Sequence, residues 1–268
     1  NKDSVFHFSD EVLKSVFPQC FEESINQNIW VGTYGKGLAK IRGDKYEFIT
    51  ETNGLIVLDI FHENNKLWLS TFKNGILIYD IIKKEVKQIQ NHKDLPTKNC
   101  RKFFKDSWGG KWIGTSGGGL LKYSQSAIKN YNEARSLEGS YIYTVATSLD
   151  SGVWVTTNAR KLFKLKNGIF EEYGLEKNIY PQKIKSVLED SKGRLWLGTE
   201  GSGVMLWENG VTKIFTGVKY LGSNFVKDVV EDKDGNIWIA TSNGITRFSP
   251  ELNYVEFFTK GNNNIHFN

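Results

Sequence analysis

Arg101, Lys185 and Lys227 each stand eleven residues before a tryptophan, and Tyr143 holds the same place before another. Cations and an aromatic ring sharing one recurring position can hold an anionic or sugar-like ligand, the cations by charge and the ring by its apolar face. The same groups could equally line a hydrated channel, paired by water and by neighbours. Tyr34, Phe72, Arg160 and Glu200 form a second set, each in the segment that follows a Trp-x-x-Thr motif, and are further candidate ligand contacts. Trp108 is different: it lies in a turn where other copies carry Lys192 or Asp234, which suits either a protein contact or simple exposure.

Bond-breaking chemistry has little to work with. A hydrolase needs convergent acids, bases or a metal. The four histidines, His7, His62, His92 and His266, occupy non-equivalent positions without ligand spacing and read as structural or surface groups. Asp232-Lys233-Asp234-Gly235-Asn236 lacks the distant bidentate Glu of a calcium loop and reads as a hairpin turn. No nucleophile motif or phosphate-cradling loop is present. The sequence therefore predicts no catalytic residue, no metal and no cofactor. Cys20 and Cys100 are expected to be two buried free thiols. The balance of 35 basic to 30 acidic residues is mild and carried mostly by lysine. Without an aromatic-interleaved basic cluster, nucleic acid is not an expected partner. No apolar run is long enough to span a bilayer, so this segment is not expected to insert in a membrane. A start at Asn1 rather than Met reads as a processed or trimmed chain.

The elements that must position these residues are six copies of one motif. Trp30-Val31-Gly32-Thr33 returns at Trp68, Trp112, Trp154, Trp196 and Trp238, with spacings of 38, 44, 42, 42 and 42 residues. Each copy runs Trp, an aliphatic residue, a small residue, then Thr. Its β-branched and aromatic content is that of a strand, and both faces of that strand are apolar or small, which implies burial on both sides. The small residue (Gly32, Ser70, Gly114, Thr156, Gly198, Ala240) leaves room for a bulky side chain of the next repeat. A buried Trp removes roughly 150–250 Å² from water, about 4–6 kcal/mol of gross stabilisation.

Turn residues delimit the strands. Asp106, Asp190 and Asp232 stand six residues before their tryptophans, with Gly109, Gly193 and Gly235 three before, spacing that makes a compact hairpin. Gly37, Gly75, Gly119, Gly203 and Gly244 mark the next turn, which Asn158-Ala159-Arg160-Lys161 replaces in the fourth repeat. Four short strands per unit and no helical periodicity predict an all-β fold, a β-propeller of four-stranded antiparallel blades. Six blades are expected, as a single domain over residues 1–268. Two segments stand outside the count. Val5-Phe6-His7-Phe8 is expected as an outer strand, and Asn264-Ile265-His266-Phe267 looks like the start of a further inner strand, so seven blades with one incomplete is the alternative.

The pattern D-x-x-G-x-[IL]-W-[IL]-[GA]-T followed by Gly and an aliphatic residue, as in Asp232 to Ile245, resembles the two-component regulator propeller repeat. The resemblance covers all six repeats, sharpest in the third, fifth and sixth and weakest in the fourth. It implies the sensor region of a bacterial hybrid two-component system, as in gut Bacteroidetes that sense polysaccharide fragments. It also implies a periplasmic or extracellular location and an oligosaccharide ligand. The family's propellers have seven blades, usually two in tandem, followed by an immunoglobulin-like domain, a membrane span and a histidine kinase. A second propeller or an immunoglobulin-like domain of the same receptor is accordingly the expected partner. Streptogramin lyases are similar to these repeats too, and a stand-alone lyase or lectin working through an axial funnel is the alternative function.

Overall fold

The computed structural model describes residues 16–24, 28–43, 45–89, 92–106, 108–124, 127–132, 137–166, 168–174, 183–217, 220–259 and 262–267. They form six antiparallel sheets, each a meander of strands paired in chain order: a six-bladed β-propeller. In the fifth blade the strands are Ile184–Glu189, Leu195–Thr199, Val204–Glu208 and Val211–Phe215, from inner to outer. Helix is confined, among the described residues, to two single 3₁₀ turns, Thr50–Thr52 and His92–Asp94. Contacts divide the chain into two compact units, Asn1–Phe104 with Lys111–Lys129 and Lys105–Gly110 with Asn130–Asn268. The first two blades belong to the former and the last three to the latter.

The Trp-x-x-Thr strand is the second of each blade, and it is buried on both faces, as two apolar faces require. Trp196 is fully enclosed, with its own ring stacked on Phe215. Trp30, Trp68, Trp112 and Trp154 are buried as well, whereas Trp238 is only half-buried. The small residue two positions on does leave room for the next repeat. A Cβ on Gly198 would lie 2.6 Å from Val226 Cγ1, and one on Gly32 would meet Val57 Cγ1 at 2.9 Å and overlap Cys20 Sγ.

A second pattern, not read from the sequence, covers the indoles. Lys40, Lys122, Lys164 and Arg247 sit directly across from Trp30, Trp112, Trp154 and Trp238 on the third strand, with the cation 4.5–5.7 Å from the ring centre. Where the third strand offers Ile78 or Leu206 instead, Lys111 covers Trp68 at 4.5 Å and Arg194 covers Trp196 at 5.6 Å. Part of the lysine and arginine content is thus structural, worth about 0.5–2 kcal/mol per pair depending on solvent access.

The hairpin aspartates do more than close a turn. Asp190 Oδ1 accepts from the backbone N–H groups of Lys192 and Arg194, while Oδ2 accepts from Arg194 Nε at 2.6 Å and from Trp196 Nε1 at 2.8 Å. Asp232 repeats this with Asp234, Asn236 and Trp238 Nε1. In the fourth repeat Ser148 takes the aspartate's place, and Glu189 from the fifth blade's inner strand accepts from both Ser148 Oγ and Trp154 Nε1 at 2.6 Å. The motif threonine closes the other end: Thr33, Thr71, Thr115, Thr199 and Thr241 each donate to the carbonyl of the turn glycine. All five glycines have φ between +70° and +94°, where a side chain would be strained.

One expectation about the chain ends needs revision. Asn262–Phe267 does not begin a new blade; it pairs antiparallel with Tyr254–Thr259, Tyr254 opposite Phe267, as a fifth strand on the last sheet. Pairing with the immediately preceding strand is the shortest loop closure available. The described sheets therefore number six, not the seven that the resemblance implied. Val5–Phe8, with His7, lies outside the described residues. Cys100 is fully buried, but Cys20 is only half-buried; both are free thiols, and burial pushes each up to about 12.

Candidate ligand-binding site

The slot eleven residues before the tryptophan has a structural cause. In blades one, two, four, five and six the inner strand slips register by one residue against the second strand. The residues left unmatched are Gln19, Leu58, Tyr143, Lys185 and Lys227. A bulge re-aims the side chain of its extra residue and bends the strand. Three of the four residues in the slot, Tyr143, Lys185 and Lys227, are bulge residues on three successive blades of the second unit.

Two of these meet. Lys185 Nζ lies 4.3 Å from the ring centre of Tyr143, whose other neighbour is the Tyr141 ring at 5.1 Å. Glu200 joins them: its carboxylate is 3.5 Å from Lys185 Nζ and 3.3 Å from Lys183 Nζ. Burial raises the pKa of this carboxyl, but the charges of Lys185 and Lys183 outweigh it and hold the group below the usual glutamate value. Glu200 is placed by its backbone, which donates to the Lys183 carbonyl at 2.9 Å and bridges to Phe225 of the next blade. The same tie recurs in every repeat. Tyr34, Phe72, Ser116, Asn158 and Ser242 each donate to the carbonyl just before their own inner strand.

Lys227 is exposed at its bulge, and Arg160 is exposed in the short fourth-repeat turn with φ +62°. Arg101, half-buried, lies in the first unit with Tyr34, which is exposed, and Phe72, whose ring carries Lys73 Nζ at 5.3 Å. Trp108 is 70% exposed in the Asp106–Gly110 hairpin, its N–H bound to Asp106 Oδ1. His92 is buried with Nε2 3.0 Å from the Asn74 carbonyl. Tyr141, Lys183 and Phe225 escaped the sequence reading. All three stand thirteen residues before their tryptophans, two before the slot that was read, so the same alignment held them. A cavity of about 160 Å³ in the first unit, lined by Trp30, Lys40, Glu47, Glu51, Tyr79 and Lys84, involves none of the expected contacts. Among the described residues no group of three or more His, Cys, Asp or Glu could hold a metal ion.

The family model described as "Two component regulator propeller" matches residues 181–201 and 220–243. No curated protein matches the sequence. Among solved structures, an extracellular domain assigned to a hybrid two component system of B. thetaiotaomicron superposes with a TM-score of 0.59 at 19% identity, over 87% of this chain and 44% of that one. The chain thus spans less than half the length of that relative. Virginiamycin B lyase from Staphylococcus aureus superposes with a TM-score of 0.73 at 15% identity, over 92% and 85%. PorZ, a surface component of the type-IX secretion system of Porphyromonas gingivalis, gives 0.63 at 18%, over 81% and 36%. At these identities the likenesses establish the shared fold. The matched segments carry the Asp–Trp clamp and the motif threonine of the fifth and sixth blades, and there the chain resembles the two-component regulator propeller repeat.

Proposed function

We propose that this chain is a non-catalytic sensor module, one propeller domain of a bacterial two-component signalling protein that responds to a glycan outside the cytoplasm. The family match over residues 181–201 and 220–243 carries this reading. It is supported by the arrangement of Tyr141, Tyr143, Lys183, Lys185 and Glu200, which offers rings and charges for binding but no nucleophile beside a base. A second propeller or an immunoglobulin-like domain of the same receptor is the proposed partner, with Trp108 as a protein contact. Among the described residues no helix is long and apolar enough to cross a membrane, so the signal would leave through such a neighbour.

Thermal unfolding against a panel of oligosaccharides tests the reading. One glycan class should raise the melting temperature in proportion to the logarithm of its concentration, without being consumed. Stabilisation by no member of the panel would overturn it. The likeness to virginiamycin B lyase supports a second reading, a stand-alone lyase. Incubation with virginiamycin B followed by mass analysis separates the two: a cleaved product establishes the lyase, and intact antibiotic favours the sensor.

A further inference from the structure

From the three successive bulges of the second unit we infer a subsite for an acidic sugar, a hexuronate within an oligosaccharide; this rests on the reading above that the ligand is a glycan. Tyr143, Lys185 and Lys227 are the extra residues of their inner strands, so each is turned out of the ladder by backbone geometry. Tyr141 and Tyr143, both half-buried, present adjoining rings with centres 5.1 Å apart. Phe225, 52% exposed, stands at the start of the next inner strand. Ring faces of this kind suit the C–H face of a pyranose, apolar on one side and hydroxylated at its rim.

Charge selects the acidic sugar. Lys183, Lys185 and Lys227 outnumber the two carboxylates near them, Glu200 and Asp228. Asp228 is already engaged, accepting from Ser186 Oγ at 2.6 Å and from Val229 N–H at 2.9 Å. Glu200 is shared between Lys183 and Lys185 at 3.3 and 3.5 Å, beyond the 2.7–2.9 Å of a tight charge-assisted bond. Lys227 is exposed, with no ion pair among the described residues. A ligand carboxylate entering beside the tyrosines would bind the lysines that Glu200 holds loosely, and it would find Lys227 on the adjacent blade. Glu200 is then a placeholder for the ligand's own carboxylate.

Calorimetric titration of the chain with oligogalacturonides and with neutral galactooligosaccharides of equal length tests this. The acidic series should bind and the neutral series should bind at least about tenfold more weakly, the loss expected for one charge-assisted contact. Lys185→Ala and Lys227→Ala, with melting temperatures that show them folded, should each weaken the acidic series about tenfold. Glu200→Gln should tighten it, a direction that a merely structural role for Glu200 does not produce. Raising salt should weaken binding. Equal binding of both series, or acidic binding unchanged in both lysine variants, overturns the subsite while leaving the glycan-sensor reading standing. Absence of binding by the acidic series overturns it as well, and the wider oligosaccharide panel then decides the sensor reading separately.

Discussion

Ser24 marks one position where the aspartate of the clamp is missing. Its N–H donates to the Asn28 carbonyl as those of Asp190 and Asp232 donate to Arg194 and Asn236, so the hairpin geometry is shared. Lacking the carboxylate, it leaves Trp30 Nε1 buried without a hydrogen-bond partner among the described residues. An unmet buried donor costs about 1–3 kcal/mol. Ser24→Asp should therefore stabilise the protein by about 1 kcal/mol, read as a higher denaturant midpoint at constant slope. Where the clamp is complete it responds to acid. Burial raises the Asp232 pKa, but hydrogen bonds from Trp238, Asn236 and Asp234 dominate and lower it from 3.8 to about 2. A depressed carboxyl adds stability that is fully present above its unfolded value and lost as pH falls through its folded one. The melting temperature should consequently drop between about pH 4 and pH 2, and less steeply in Asp232→Asn.

Strands here are specified by what they face as much as by what they contain. The second strand tolerates only a small residue two after the tryptophan because the next blade's inner strand packs there, Val226 against Gly198 and Val57 against Gly32. Gly198→Val should cost about 1–3 kcal/mol by overpacking, measured by chemical unfolding, since Val226 and Val229 both crowd the site. An unchanged midpoint would show that the blades can part without loss. The inner strand carries the recurring bulge, whose extra residues in the last three blades, Tyr143, Lys185 and Lys227, share one sequence spacing. That bulge was not legible beforehand: a one-residue slip leaves no mark in composition, and the spacing alone pointed to the slot without revealing why its side chains turn outward.

For the molecule as a whole, the tryptophans offer a measurement. Among the eight, Trp108 is 70% exposed, whereas Trp30, Trp68, Trp112, Trp154 and Trp196 are buried and Trp207 and Trp238 are half-buried. Iodide should quench a distinct fraction of the emission, and Trp108→Phe should remove most of that fraction while leaving the melting temperature within about 0.5 kcal/mol of equivalent stability. Loss of stability on that substitution would mean that Trp108 packs against something rather than standing free for a partner.

Recurrence pointed to six blades with a seventh left open, and gave the strand order and the buried indole, because a strand covered on both faces admits few residue types and repetition exposes that restriction six times over. Turn glycines and hairpin aspartates were legible for the same reason, since positive φ and local backbone bonding each select particular residues. Which cation covers which ring, the loan of Glu189 to Trp154, the fifth strand at Asn262–Phe267 and the meeting of Tyr143, Lys185 and Glu200 were not. These depend on distances between segments far apart in the chain, set by register and by packing between blades, and a side chain's type does not say which neighbour it will reach.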